Sequence, residues 1–182
     1  MINNLLFYKY THYNLYFFRV LMLYLTKTNK QKTYQMPYTI KFLTKWSDFD
    51  ANRHMRHTAY NDYAAEARLR YFKNKGFDLE NFQKHNLGPV LFSENTIFRK
   101  EIKIGADIQV KSFLAAISKN GERCKIYHQI LDEKGNLSAE ITVYLAWIDL
   151  TKRKLTIPPQ EIKDLLLDLG KTENFETIEL KK

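Results

Sequence analysis

A single stretch of helical periodicity, set in a chain otherwise patterned for strands, limits the architectures open to this sequence. Between Thr58 and Lys75, the residues Tyr60, Tyr63, Ala64, Ala67, Tyr71 and Phe72 recur at spacings of three and four, which makes one apolar helical face. Ala64, Ala65 and Ala67 are small enough to let a sheet approach the helix axis closely. Gly76 supplies the left-handed position that ends helices, and Phe77 the apolar residue that folds back on the last turn. On both sides the pattern is that of strands. "YTIKFLTKW" alternates up to Trp46, and four more β-rich stretches follow between Leu87 and Leu155. In these, Cys124, Ile126, His128 and Ile130 share one face of a strand, as do Ile141, Val143, Leu145 and Trp147 of the next, with Gly135 placed for a hairpin turn between them. Pro158 and Pro159 close the strand region, and "PQEIKDLLLDLG" reads as a short helix stopped by Gly170. The expectation is an α+β domain in which a curled antiparallel sheet of about five strands wraps one long central helix.

At 182 residues the chain has room for one such domain. We expect it over residues 36–165, with 166–182 a C-terminal tail and 1–35 an extension outside the fold. The extension is aromatic and leucine-rich, but Lys9, His12, Asn14 and Arg19 break it well short of the roughly 20 apolar residues of a membrane-spanning helix. It also lacks the small-residue cleavage site of a secretory signal. Upstream sequence translated from an early start, with Met36 the natural first residue, a targeting or membrane-surface segment, and an ordered extension all stay open; the Asn, Lys, Tyr and Phe bias of an AT-rich coding sequence favours the first. No transmembrane segment is expected, and the reading is of a cytoplasmic protein.

Charge argues against nucleic acid as a partner. The net charge is +9, yet Lys9, Arg19, Lys27, Lys30 and Lys32 carry five of those charges in a segment without acids, and the rest of the chain mixes both signs. Cys124 is the single cysteine, so no intrachain disulfide can form; placed mid-strand, it reads as a buried structural thiol.

Chemistry concentrates in "WSDFDANRHMRHTAYNDYAAEAR", Trp46 to Arg68. Asp50, Asn52 and His54 alternate over five residues, and His57 and Thr58 stand where the helix begins. A helix start offers unpaired backbone N–H groups and the positive end of the macrodipole, which suit a carbonyl oxygen acquiring negative charge. A carboxylate beside it completes an acyl-transfer apparatus. Asp50 either attacks the acyl carbon or activates water, the amides near His57 and Thr58 hold the oxyanion, and Asn52 and His54 orient them. The plainer reading is that Asp48, Asp50 and Asn52 bond to their own turn. Asp50, His54 and His57 form no established metal-binding pattern, and no metal is expected. Glu66 and Arg68, two apart on the helix, read as solvated flanks, and the tyrosines as core.

The same residues resemble the signature of the hotdog-fold acyl thioesterases, the group containing 4-hydroxybenzoyl-CoA thioesterase and the acyl-CoA and acyl-ACP thioesterases. "SDFD", Tyr60 ten residues beyond Asp50, and "EAR" at Glu66 to Arg68 match its order, while Asp50, Asn52 and His54 look like the Asp-x-Asn-x-His motif of the acyl-ACP enzymes. "TIFRKEIKIGADIQV" and "ITVYLAWIDLTKRKLTIPPQEI" are similar to its later strands, so the likeness covers about Tyr38 to Ile162. It implies a hotdog fold, thioester hydrolysis with Asp50 as the catalytic carboxylate, and an oxyanion amide at or near His57. It also implies an acyl-CoA or acyl carrier protein substrate, no cofactor, and a homodimer or homotetramer. Tyr60, Arg56, Glu66 and Arg99 are the candidate substrate-binding residues, the arginines for phosphates. The chain departs from the pattern at Met55, Arg56 and His57, where many relatives have Val-Asn-Asn, and at Arg53, where some have Gly. A second acid has no clear counterpart, Glu66 and Glu94 being the candidates. Acyl hydratase or dehydratase activity, or non-catalytic acyl binding, on the same fold are the alternatives.

Overall fold

The computed structural model describes residues 36–180. The expectations for residues 1–35 therefore lie outside the described residues. Strand β1 (Tyr38–Phe42) runs into a short 3-10 turn at Trp46–Asp48 and then into helix α1 (His57–Asn74). A brief helix α2 (Leu79–Lys84) precedes four long strands: β2 (Leu87–Phe98), β3 (Ile108–Ser118), β4 (Arg123–Asp132) and β5 (Leu137–Asp149). The two-residue β6 (Lys154–Leu155), helix α3 (Gln160–Asp168) and strand β7 (Lys171–Ile178) complete the chain.

The sheet runs β1-β3-β4-β5-β2, all antiparallel, with β6 added to β5. Curled round α1, it is the hotdog arrangement the resemblance implies. The helix buries the face that its periodicity predicts: Tyr60, Tyr63, Ala64, Ala67, Tyr71 and Phe72 all lie in the core. The sheet's inner face meets it with Ile126 and Ile130 of β4 and with Ile141, Val143, Leu145 and Trp147 of β5. Ala64 and Ala67 are fully buried, as a close sheet approach requires. Gly76, at φ 85°, ends α1, and the Phe77 N–H returns to the Phe72 carbonyl at 2.9 Å.

Two elements depart from expectation. The stretch read as a tail contributes β7, which pairs parallel to β3 over Leu114–Ser118, while β1 occupies Ile108–Ser112 of the same edge. Two short strands thus share one side of β3, and the sheet counts seven strands. Helix α2 was not foreseen; Asp78 caps it by accepting the Asn81 N–H at 3.1 Å, and Phe82 anchors it in the core. No helix among the described residues is long and apolar enough to cross a membrane.

The far edge is different in kind. β2 is twelve residues long and, among the described residues, pairs on one side only, with β5. Leu91, Phe92, Ile97 and Phe98 along it are 41–53% exposed. A long apolar edge with free backbone donors and acceptors is a surface that proteins normally cover.

Candidate functional site

The segment between β1 and α1 folds through local bonds. The Asp50 N–H donates to the His54 carbonyl at 2.9 Å, and the Arg53 N–H returns to the Asp50 carbonyl at 3.0 Å. Arg53 sits at the apex with φ 63°, in the left-handed region where some relatives place glycine, so the substitution keeps the loop at a modest strain cost. The exit is pinned to a distant segment: Met55 N–H bonds Ile102 O at 2.8 Å and Ile104 N–H bonds Arg53 O at 3.0 Å. The entry is held by Asp48, whose buried carboxylate accepts from the Tyr63 hydroxyl at 2.5 Å and the Lys45 N–H at 2.7 Å. Burial and that carboxylate push the Tyr63 hydroxyl pKa far up, so it stays a donor.

These bonds decide what Asp50 can do. Its Oδ1 accepts the Asn52 N–H at 2.8 Å and, weakly, the His54 N–H at 3.4 Å, which is the turn-forming role its neighbours suggest. Its Oδ2 has no hydrogen-bond partner among the described residues. The carboxylate lines an open groove of about 390 Å³ with His54, His57, Tyr60, Arg99 and Glu101. One oxygen holds the loop and the other is free for a ligand.

Helix α1 begins at the same groove without a cap. Its N-cap, Arg56, has no side-chain acceptor for the backbone N–H groups of the first turn, and the Arg56 N–H is spent on Asp48 O at 2.8 Å. The His57 and Thr58 N–H groups have no protein acceptor among the described residues, so the helix presents free donors where its dipole is positive.

The structure brings Asp50, His54, His57, Tyr60 and Arg99 to the groove and leaves others elsewhere. Asn52 is exposed on the loop and does not line it. Thr58 Oγ1 accepts from Arg56 at 2.5 Å, and Arg56 also bonds Ser47 O and faces Asp62, so Arg56 braces the helix start. Glu66 is withdrawn to an i,i+4 pair with Arg70 at 2.6 Å, too far along α1 to reach the groove. Arg99 lies in the groove, but its Nε is bound to Glu140 at 2.6 Å, and Tyr127 bonds the other Glu140 oxygen. Glu101 was missed. It faces His54 Nε2 at 3.6 Å because an isolated bridge pairs His54 with Lys103, a register between distant segments that nothing in "FRKEIKIG" announces. Tyr60 is buried edge-to-face against Phe98 at 5.3 Å and forms the groove's apolar wall.

About 12 Å along α1, at the helical rise of 1.5 Å per residue, a second cavity opens between α1, α2, β2 and β5. It has a volume of about 430 Å³ and apolar walls that include Leu69, Phe72, Phe82, Leu91 and Trp147. Among the described residues no group of His, Cys, Asp and Glu is arranged to hold a metal ion. The Cys124 thiol is buried at the sheet's inner face, and burial pushes its pKa up to about 12, which makes it unreactive.

A curled antiparallel sheet wrapped on one long helix is the architecture of hotdog proteins. Residues 44–166 match the family model of the thioesterase-like superfamily, and the chain belongs to that superfamily. No curated protein matches the sequence. Among solved structures the chain is similar to protein SAV2348 of Staphylococcus aureus in complex with CoA, at 17% identity and a TM-score of 0.67, covering 75% of this chain and 87% of that one. It is similar also to Slr0204 of Synechocystis, a 1,4-dihydroxy-2-naphthoyl-CoA thioesterase, at 18% identity and a TM-score of 0.65, covering 72% and 96%. The DHNA-CoA thioesterase of Staphylococcus aureus has 20% identity and a TM-score of 0.63, with 71% and 86% covered. At such identities the likeness carries the fold.

Proposed function

We propose that this protein hydrolyses an acyl thioester, carried on CoA or on acyl carrier protein, to the free acid and the thiol. The observation that carries the reading is that Asp50, with only its Oδ1 bonded to the loop, and the uncapped start of α1 line one groove. A thioester carbonyl placed there directs its oxygen to the His57 and Thr58 N–H groups. As general base, Asp50 takes a proton from water; the hydroxide adds to the acyl carbon, the oxyanion is held by the amides, and collapse expels the thiolate, which recovers the proton. As nucleophile, Asp50 forms a mixed anhydride with loss of thiolate, and water then cleaves it. Either route needs no metal or redox group. His54 is placed by Glu101 to orient the water or the leaving sulfur.

A homodimer through β2 belongs to the same proposal. Two β2 edges paired antiparallel about a two-fold axis would cover Leu91, Phe92, Ile97 and Phe98, and would set the Leu87–Leu91 half of one strand against the Asn95–Phe98 half of the other. The apolar cavity of one copy then lies beside the Asp50 groove of its mate, which gives the acyl chain a place to go. Arg56 and Arg99 are engaged within the chain, so the CoA phosphates fall to Arg53 and Lys103, exposed on the rim and without a carboxylate partner among the described residues. A cytoplasmic setting completes the reading and suits a chain whose single cysteine is a free thiol.

The test is thiol release from a panel of acyl-CoAs and acyl carrier protein thioesters, with the free acid identified as the other product. Release from at least one acyl class supports hydrolysis. Hydration or dehydration of the acyl chain without thiol release would move the protein to the hydratase class, and binding without turnover to an acyl-binding role.

A further inference from the structure

Among the residues lining the largely apolar cavity, one carries a charge. Arg68 was expected as a solvated flank of the helix, yet its side chain turns inward and forms part of the cavity wall. Its Nη1 meets Nε2 of the fully buried His128 at 3.1 Å, and Nδ1 of the same ring meets Ser112 Oγ at 2.8 Å. A guanidinium only donates, so His128 Nε2 must accept, and the ring proton sits on Nδ1 and is given to Ser112. The imidazole is therefore neutral, and burial, aided by the Arg68 charge, holds its pKa well below the usual histidine range. Ser112 and His128 fix the direction of the guanidinium without neutralising it.

That leaves a cation with no counter-ion. Arg68 forms no ion pair among the described residues; Glu94 acts on it electrostatically without contact, and burial pulls its pKa down. Its remaining N–H groups have no protein acceptor among the described residues. An unpaired charge in low-dielectric surroundings is costly unless something else supplies the acceptor. The volume of about 430 Å³ is that of a small-molecule site.

We propose that this cavity binds the acyl group and that Arg68 selects acyl chains bearing a carboxylate at the end remote from the thioester. The selection rests on the thioesterase reading for its catalytic consequence, but the binding does not. The apolar walls take the chain, and the guanidinium pairs with the distal oxygen. A plain alkyl end leaves the cation unmet. Arg68 is a specificity-determining residue and His128 the residue that positions it.

The experiment compares direct binding of decanoate and 1-decanol by calorimetry, since free decanoate can present its own carboxylate to Arg68. In the wild type decanoate binds about 10- to 100-fold more tightly, the range that separates an ion-paired carboxylate from a neutral hydroxyl at the same guanidinium. In Arg68→Met that preference falls to roughly threefold or less on the same scale. Equal affinities in the wild type, or an undiminished preference in folded Arg68→Met, overturn the proposal. Should Arg68→Met fail to fold, Leu91→Trp narrows the cavity at its exposed side without touching the Arg68–His128 bond. It weakens both probes if the cavity is the site, and unchanged affinities overturn that. The kinetic counterpart is the ratio of kcat/KM for the CoA thioester of a dicarboxylic acid over that of the monocarboxylic acid of equal length; it is about 10 or more in the wild type and falls toward one in Arg68→Met. Absence of thiol release from every thioester would defeat the thioesterase reading and leave the decanoate comparison to decide the cavity's ligand.

Discussion

The two ends of α1 are built by opposite means. At its start, a loop of consecutive residues folds largely on its own backbone, pinned at its exit to Ile102 and Ile104, and leaves one carboxylate oxygen and two helix amides without a protein partner among the described residues. Toward its end, the cavity is made by residues drawn from α1, α2, β2, β4 and β5, and its charged group is held by a histidine sixty positions away. The first end is polar, exposed and suited to chemistry; the second is apolar, enclosed by packing and suited to holding a chain. Reactive groups can be set by a short local turn, whereas a shaped apolar space has to be assembled by the whole sheet.

Stability measurements can break this contrast, taken here from the largest expected effect to the smallest. Trp147 stands in the cavity wall, 1% exposed, stacked on Phe82 at 6.0 Å and donating its indole N–H to Gly121 O at 3.1 Å. Trp147→Ala should cost about 3–5 kcal/mol in urea unfolding. A loss below about 1 kcal/mol would mean that the cavity end is loosely packed, against the account. Tyr63→Phe removes the hydroxyl bonded to the buried Asp48 carboxylate and should cost about 1–3 kcal/mol. It should also slow turnover, because Asp48 holds the Asp50 loop; a destabilised variant with unchanged kcat would separate the two.

The third test uses pH. His128 is neutral in the fold, with its pKa depressed by burial and by Arg68, while the unfolded chain takes up a proton near pH 6.5. Above that pH both states are neutral and the residue has no effect. Below it the unfolded state binds the extra proton, so stability should fall by about 1.4 kcal/mol per pH unit until the depressed folded value is reached. Asp132 and Glu140, whose pKa values are lowered by bonds to Asn136 and to Tyr127 and Arg99, act only in the more acid carboxylate range. Urea midpoints of the wild type and His128→Gln between pH 7 and 5 should diverge in slope; parallel lines would show that His128 is not the buried neutral residue drawn here.

How far the sequence could be read follows the same division. The buried faces of α1, β4 and β5 were legible because helix and strand periods repeat within each element. Asp50, His54, His57 and Tyr60 were legible as one motif because they are neighbours in the chain and face one groove. Glu101 was not, since only the bridge between His54 and Lys103 brings it there. Arg99 was read as a free cation because its partner Glu140 lies forty-one positions further on, across the β2–β5 register. Arg68 looked exposed because helix spacing shows which residues share a side, and gives no sign that a long side chain will bend inward to a buried histidine. β7 escaped notice because only Thr172, Phe175 and Ile178 of its eight residues are partly buried, too thin a pattern to separate it from a tail.

The most direct test of the proposed chemistry is the rate of thiol release by Asp50→Asn from the best acyl-CoA substrate of the wild type. The amide keeps the Oδ1 acceptor that closes the turn and removes the negative charge of the free oxygen. The variant should keep its folded circular dichroism spectrum and lose about a thousandfold or more in kcat, equivalent to roughly 4 kcal/mol in the barrier. A folded Asp50→Asn protein that releases thiol at the wild-type rate would contradict the assignment of the reacting carboxylate.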